Sequence, residues 1–124
     1  MNKVFTDKAP AAIGPYSQAI KAGGFVYVSG CLPIDMSTGE LSTADIGEQT
    51  CFCFKNIAAI LEAAGSSTDK IVKTTVFLKD LANFAAMNKA YAGFFPGVAP
   101  ARSCVQVSAL PKNADIEIEV IAEQ

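Results

Sequence analysis

At 124 residues, with 51% hydrophobic and 18% charged positions, the chain has the length of one compact domain, residues 1–124, and a domain this size buries roughly two-thirds of its unfolded surface without disulfide or metal staples. Ten basic against twelve acidic residues leave a net charge of −2, with the lysines scattered singly, so no basic patch for a nucleic-acid backbone is visible. No apolar run approaches the roughly 18 residues of a membrane span, and the opening MNKVFTDKAPAAIG has the pattern of neither a secretory signal nor a transit peptide; the cytoplasm is the expected compartment.

Ser17 to Ser29 reads SQAIKAGGFVYVS, two apolar stretches divided by Gly23-Gly24, the pattern of a β-hairpin. CLPIDMSTGELS follows, and its Pro33, Asp35, Ser37 and Gly39 predict a loop. A helix of about 20 residues comes next: Ser42 or Thr43 offers an N-cap, Asp45 falls in the first turn and Gly65 takes the position after the last turn. Ile46, Cys53, Ile57, Ile60, Leu61 and Ala64 recur at helical spacing as one apolar stripe. Ile71 to Leu78, IVKTTVFL, is dense in β-branched residues and predicts a central strand buried on both faces. Asp80 then caps a second helix from Leu81 to about Phe94, with Leu81, Phe84, Met87, Tyr91 and Phe94 on one side and Pro96-Gly97 as its stop. A strand from about Arg102 to Val107 and a turn at Pro111-Lys112-Asn113 lead into a last strand. There Ile116, Ile118, Val120 and Ala122 alternate with Asp115, Glu117, Glu119 and Ile121.

This order predicts an α+β two-layer sandwich, a mixed sheet with two helices on one face. Two helices cannot cover both faces of five or six strands, so the other face is left to solvent or to another copy. The apolar excess, with a mean hydropathy of +0.31, favours another copy.

The chain has no histidine, which removes Ser-His and Cys-His nucleophile systems, imidazole acid–base pairs and histidine metal sites together. Its four cysteines, Cys31, Cys51, Cys53 and Cys104, form no CxxC pair, so no metal site is expected, and the first three read as small buried hydrophobes. No glycine-rich phosphate fingerprint follows a strand. Arg102, the sole arginine, opens a strand of small and apolar residues after a proline-bearing loop. It suits either an arginine snorkelling or pairing at a sheet edge or a two-point clamp on a small carboxylate. Glu117 and Glu119 share one strand face; they are solvated there, or, if a second subunit covers them, carry a raised pKa and can orient or activate water. Tyr16, in IGPYSQ, occupies a turn from which a phenol can donate into a cleft, and Asn88 lies one position from the stripe of the second helix.

The segments APAAIGPYSQAI, VYVSG, EAAG, IVKTTVFLKDL, NKAYAGFF, PARSCVQVSALPK and IEIEVIA follow one another in an order that resembles the Rid/YjgF family of enamine/imine deaminases across almost the whole chain. Some members carry older labels as endoribonuclease L-PSP or translation inhibitors. The resemblance implies a chorismate-mutase-like fold, assembled as a homotrimer whose sheets form a central barrel with clefts between subunits. It implies that Arg102 of P-A-R-S binds the substrate carboxylate and that Tyr16, Ser29, Gly30, Asn88, Cys104 and Glu117 line the same site. Two positions depart from the family: Cys31 stands where members commonly have glutamine, and the FFPGVAPARS connection is short.

The implied reaction is hydrolysis of a 2-aminoacrylate-type enamine, as its imine, to a 2-oxo acid and ammonia, with no cofactor. Arg102 fixes the carboxylate, Glu117 orients or deprotonates water, and Tyr16 and groups near Cys104 steady the substrate. The alternatives are a non-catalytic trimer that binds 2-oxo acids and an endoribonuclease. The absent histidine and net negative charge argue against the second.

Overall fold

Gly23 and Gly24 take φ of 60° and 84°, a left-handed pair that residues with a Cβ rarely adopt, and so turn the chain between two antiparallel strands. The computed structural model, which describes residues 1–124, builds on this hairpin. Its elements are β1 (Asn2–Val4), β2 (Ala19–Ala22), β3 (Phe25–Cys31), β4 (Ile34–Asp35), β5 (Glu40–Leu41), α1 (Ile46–Ala63), β6 (Ile71–Leu78), α2 (Phe84–Ala92), β7 (Ala101–Gln106) and β8 (Ile116–Glu123). Six strands form one sheet in the order β1-β2-β3-β8-β6-β7. Only β6 and β7 run parallel, joined across α2, so the sheet is mixed as expected.

The alternation predicted for the last strand holds: Ile116, Ile118, Val120 and Ala122 are buried. α1 lays Cys53, Phe54, Ile57 and Leu61 on them, and α2 adds Met87 and Tyr91 to the same core. Both helices therefore lie on one side of the sheet. No helix is long and apolar enough to cross a membrane.

Several local expectations are corrected. α1 is capped by Asp45, not by Ser42 or Thr43: its carboxylate accepts from the Glu48 N–H at 2.9 Å, contributing about 1 kcal/mol, while the Ser42 hydroxyl is taken by the Ala44 N–H. The predicted loop after β3 contains the small β4–β5 ribbon, turned by Gly39 at φ 74°. Residues Leu81–Asn83 form a 3₁₀ turn capped by Asp80, and α2 proper ends at Ala92. Leu81 and Phe84, expected on the apolar stripe, are exposed. Cys51 is only half-buried, since it lies on the side of α1 turned away from Cys53. β6 is buried on one face alone, because no second layer covers the side carrying Thr75 and Phe77.

Candidate active site

Register between β3 and β8 shifts between Val28 and Cys31, so Ser29 and Gly30 form a bulge. Ser29 is tied down on the β2 side: its N–H donates to the Gln18 carbonyl at 3.0 Å and its hydroxyl to the Ser17 carbonyl at 2.6 Å. The Glu117 carboxyl rests on Gly30. A Cβ built at that glycine would fall 2.7 Å from both Cδ and Oε2 of Glu117, so this approach requires a residue with no side chain. Burial raises the Glu117 pKa above the ordinary carboxylate value, and the neighbouring Glu119 charge raises it further.

Beside the bulge opens a cavity of about 320 Å³ lined by Tyr16, Ser29, Gly30 and Cys31, with an apolar side of Ile13 and Leu32 among others. The Tyr16 hydroxyl, half exposed, accepts from the Ile13 N–H at 3.4 Å. Burial, with a smaller push from Glu117, drives the Cys31 thiol up to about 12, so it is a neutral wall of this cavity and not a nucleophile.

A second group is built on β7. Arg102 pairs in register with Thr74 and Cys104 with Val76, both buried, so the two residues point to the helix side of the sheet. One guanidinium nitrogen, Nη1, donates to Asn88 Oδ1 at 2.7 Å. The guanidinium carbon lies 4.7 Å from the Tyr91 ring centroid and 5.6 Å from that of Phe84. Arg102 is thus held by a neutral amide and two aromatic faces, with no ion pair at the sheet edge. Burial raises the Cys104 thiol, and the Arg102 charge partly offsets this. The short connection before Arg102 is packed in by Phe94 and Phe95 against Phe54, with ring centroids 4.5 and 5.6 Å apart.

The seven residues that the family resemblance assigns to one site therefore fall into two clusters within one chain. Tyr16, Ser29, Gly30 and Glu117 belong to the bulge, and Arg102, Cys104 and Asn88 to β7 and α2. Glu117 pairs with Phe77 on the open face of the sheet, whereas Arg102 faces the helices. The sequence reading missed Phe84 and Tyr91 as neighbours of Arg102 and took them only as core. Their spacing was the available signal: 84, 88 and 91 lie four and three apart, on one helix face with Asn88.

The model of the family described as Endoribonuclease L-PSP matches residues 6–124. A RutC family protein of Pyrococcus abyssi is 56% identical over 119 residues, 96% of this chain and 94% of its own. The 2-iminobutanoate/2-iminopropanoate deaminase of Escherichia coli is 48% identical over 122 residues, covering 96% of this chain and 94% of that protein. The chain belongs to the Rid/YjgF family. Its α+β fold is that of solved Rid/YjgF relatives: the crystal structure of Escherichia coli TdcF with bound serine superposes with a TM-score of 0.94 at 43% identity, over 100% of this chain and 99% of that one.

Proposed function

We propose that this Rid/YjgF chain hydrolyses 2-aminoacrylate-type enamine/imine intermediates to 2-oxo acids and ammonia, acting as a 2-iminobutanoate/2-iminopropanoate deaminase. The observation that carries the reading is Glu117. Its carboxyl is lodged against the bare Cα of Gly30, and burial raises its pKa above the ordinary carboxylate value, the direction that strengthens a carboxylate as a general base. The deaminase relative from Escherichia coli supports the same chemistry. Arg102, without an acid partner, supplies the complementary charge for a carboxylate, and the serine held by TdcF shows that a relative takes a small molecule carrying one.

In the proposed reaction water adds to the imine carbon and its proton passes to Glu117. Glu117 returns that proton to the nitrogen, giving the carbinolamine; a second proton then passes from the carbinol hydroxyl to the amine, again by way of Glu117, and the C–N bond breaks to release ammonia and leave the 2-oxo group. Imines hydrolyse unaided in water, so positioning and one activated water suffice.

The two clusters are joined in this reading by a homotrimer. The open face exposes Tyr27 at 46% and Val105 at 44%, an apolar surface suited to further copies, and the β7 cluster of one subunit then completes the bulge cluster of the next. The test couples the protein to a serine or threonine dehydratase that releases the enamine, following 2-oxo acid formation. Acceleration by a species of trimer mass is expected; binding of 2-oxobutanoate without acceleration would favour the non-catalytic reading, and a monomer in sedimentation would remove the joined site. In the same assay Gly30→Ala is expected to fold normally, since only the flexible end of Glu117 must move, and to turn over about tenfold more slowly because the carboxyl is displaced.

A further inference from the structure

An arginine on an edge strand can sweep through many side-chain conformations, so a two-point clamp needs something to set its plane. Asn88 fixes one nitrogen of Arg102, and the nearer of its two aromatic neighbours is Tyr91. That ring is 7% exposed and is wedged by Phe54 edge-on and by Phe95, with centroids 5.6 and 4.9 Å away. Its hydroxyl shares a 2.7 Å hydrogen bond with Thr74 Oγ1, which is fully buried and stands opposite Arg102 in the parallel β6–β7 register. Thr74 is the one polar residue in a buried row otherwise made of Ile71, Val76 and Leu78. A buried hydroxyl without a partner is costly, so each of these two groups holds the other in place.

We propose that Thr74 and Tyr91 are a positioning pair for Arg102: the threonine tethers the tyrosine ring, and the ring sets the plane in which the guanidinium meets a substrate carboxylate. The inference rests on the carboxylate-clamp reading of Arg102 given above. It accounts for an aromatic shelf with a polar tether in an otherwise apolar row of the core. Tyr91 stays uncharged in this role, since burial raises its pKa.

The test is calorimetric titration of 2-oxobutanoate into wild type, Arg102→Lys, Tyr91→Leu, Tyr91→Phe, Thr74→Val and the Tyr91→Phe/Thr74→Val double variant, with thermal melts and the coupled assay run alongside. Tyr91→Leu is expected to weaken binding about tenfold, the loss of a partly desolvated cation–π contact. Tyr91→Phe and Thr74→Val, which keep the core volume, are each expected to weaken it about threefold, and the double variant no more than either, as one shared bond requires. KM is expected to rise with kcat unchanged, because a carboxylate is held alike in ground and transition states. Melts that shift while affinity and KM stay at wild-type values in Tyr91→Phe and Thr74→Val would make the pair structural and overturn the inference, even should Tyr91→Leu fail to fold. If Arg102→Lys binds as wild type does, or wild type binds no 2-oxobutanoate, the clamp reading itself falls and the pair falls with it. Loss in Arg102→Lys with none in the Tyr91 and Thr74 variants overturns the pair alone.

Discussion

Replacing Arg102 by alanine is expected to lower kcat/KM for carboxylate-bearing imines by roughly 30- to 5000-fold, the 2 to 5 kcal/mol typical of truncating one partner of a hydrogen-bonded charge pair. The prediction follows from how the side chain is held. Its contacts are an amide oxygen and two aromatic faces, none of which neutralises it, so the charge is kept for a ligand. No other arginine is available to replace it, and lysine lacks the planar fork that matches a carboxylate. Stability should change little, because β7 is an edge strand and the side chain is only partly buried. Turnover in the dehydratase-coupled assay and a thermal melt measure both halves. Unchanged kcat/KM in a folded Arg102→Ala protein would remove the clamp from the mechanism.

How far the sequence revealed this arrangement depended on how local each feature is. The alternation in β8 and the stripe of α1 were legible because burial repeats every two or every three to four residues. β1 and the β4–β5 ribbon were not, being two or three residues long with no pattern of their own. The parallel pairing of β6 with β7 is a long-range choice that neither strand encodes, although α2 between them made it available. At the site, Arg102 stood out by being unique, and its match to P-A-R-S drew attention to it. Its setting did not: Tyr91 and Phe84 look like core residues in any apolar count, and only α2 packed against β7 places them beneath the guanidinium. The contact of Gly30 with Glu117 joins distant parts of the chain through a bulge, and bulges leave no periodic trace. The family motifs named both residues, while the physical reason for the glycine appeared only with the sheet register.

Glu117→Gln is expected to lower kcat by about 10² to 10⁴-fold and, at neutral pH, to make the protein more stable. The two effects have one cause. Burial and the Glu119 charge raise the folded-state pKa of Glu117 above its unfolded value, so the native protein binds this proton more tightly than the unfolded chain does. Stability from this group is therefore full below the ordinary carboxylate pKa and is lost as pH rises through the raised value. Glutamine never ionises, so its melting temperature should exceed that of wild type at pH 7, and the gap should close on acidification. Activity runs the other way with pH: a general base must be ionised, so wild-type turnover should fall as pH drops through the raised pKa, above the usual carboxylate range. Glu119→Gln removes the smaller of the two causes and should move that acid limb to lower pH while leaving turnover at its plateau. A Glu117→Gln protein that is stabilised yet fully active would show that the half-buried carboxyl is only strained. Stabilisation together with lost turnover would mean that the fold maintains an ionised acid against its own stability because the water-activating step needs it.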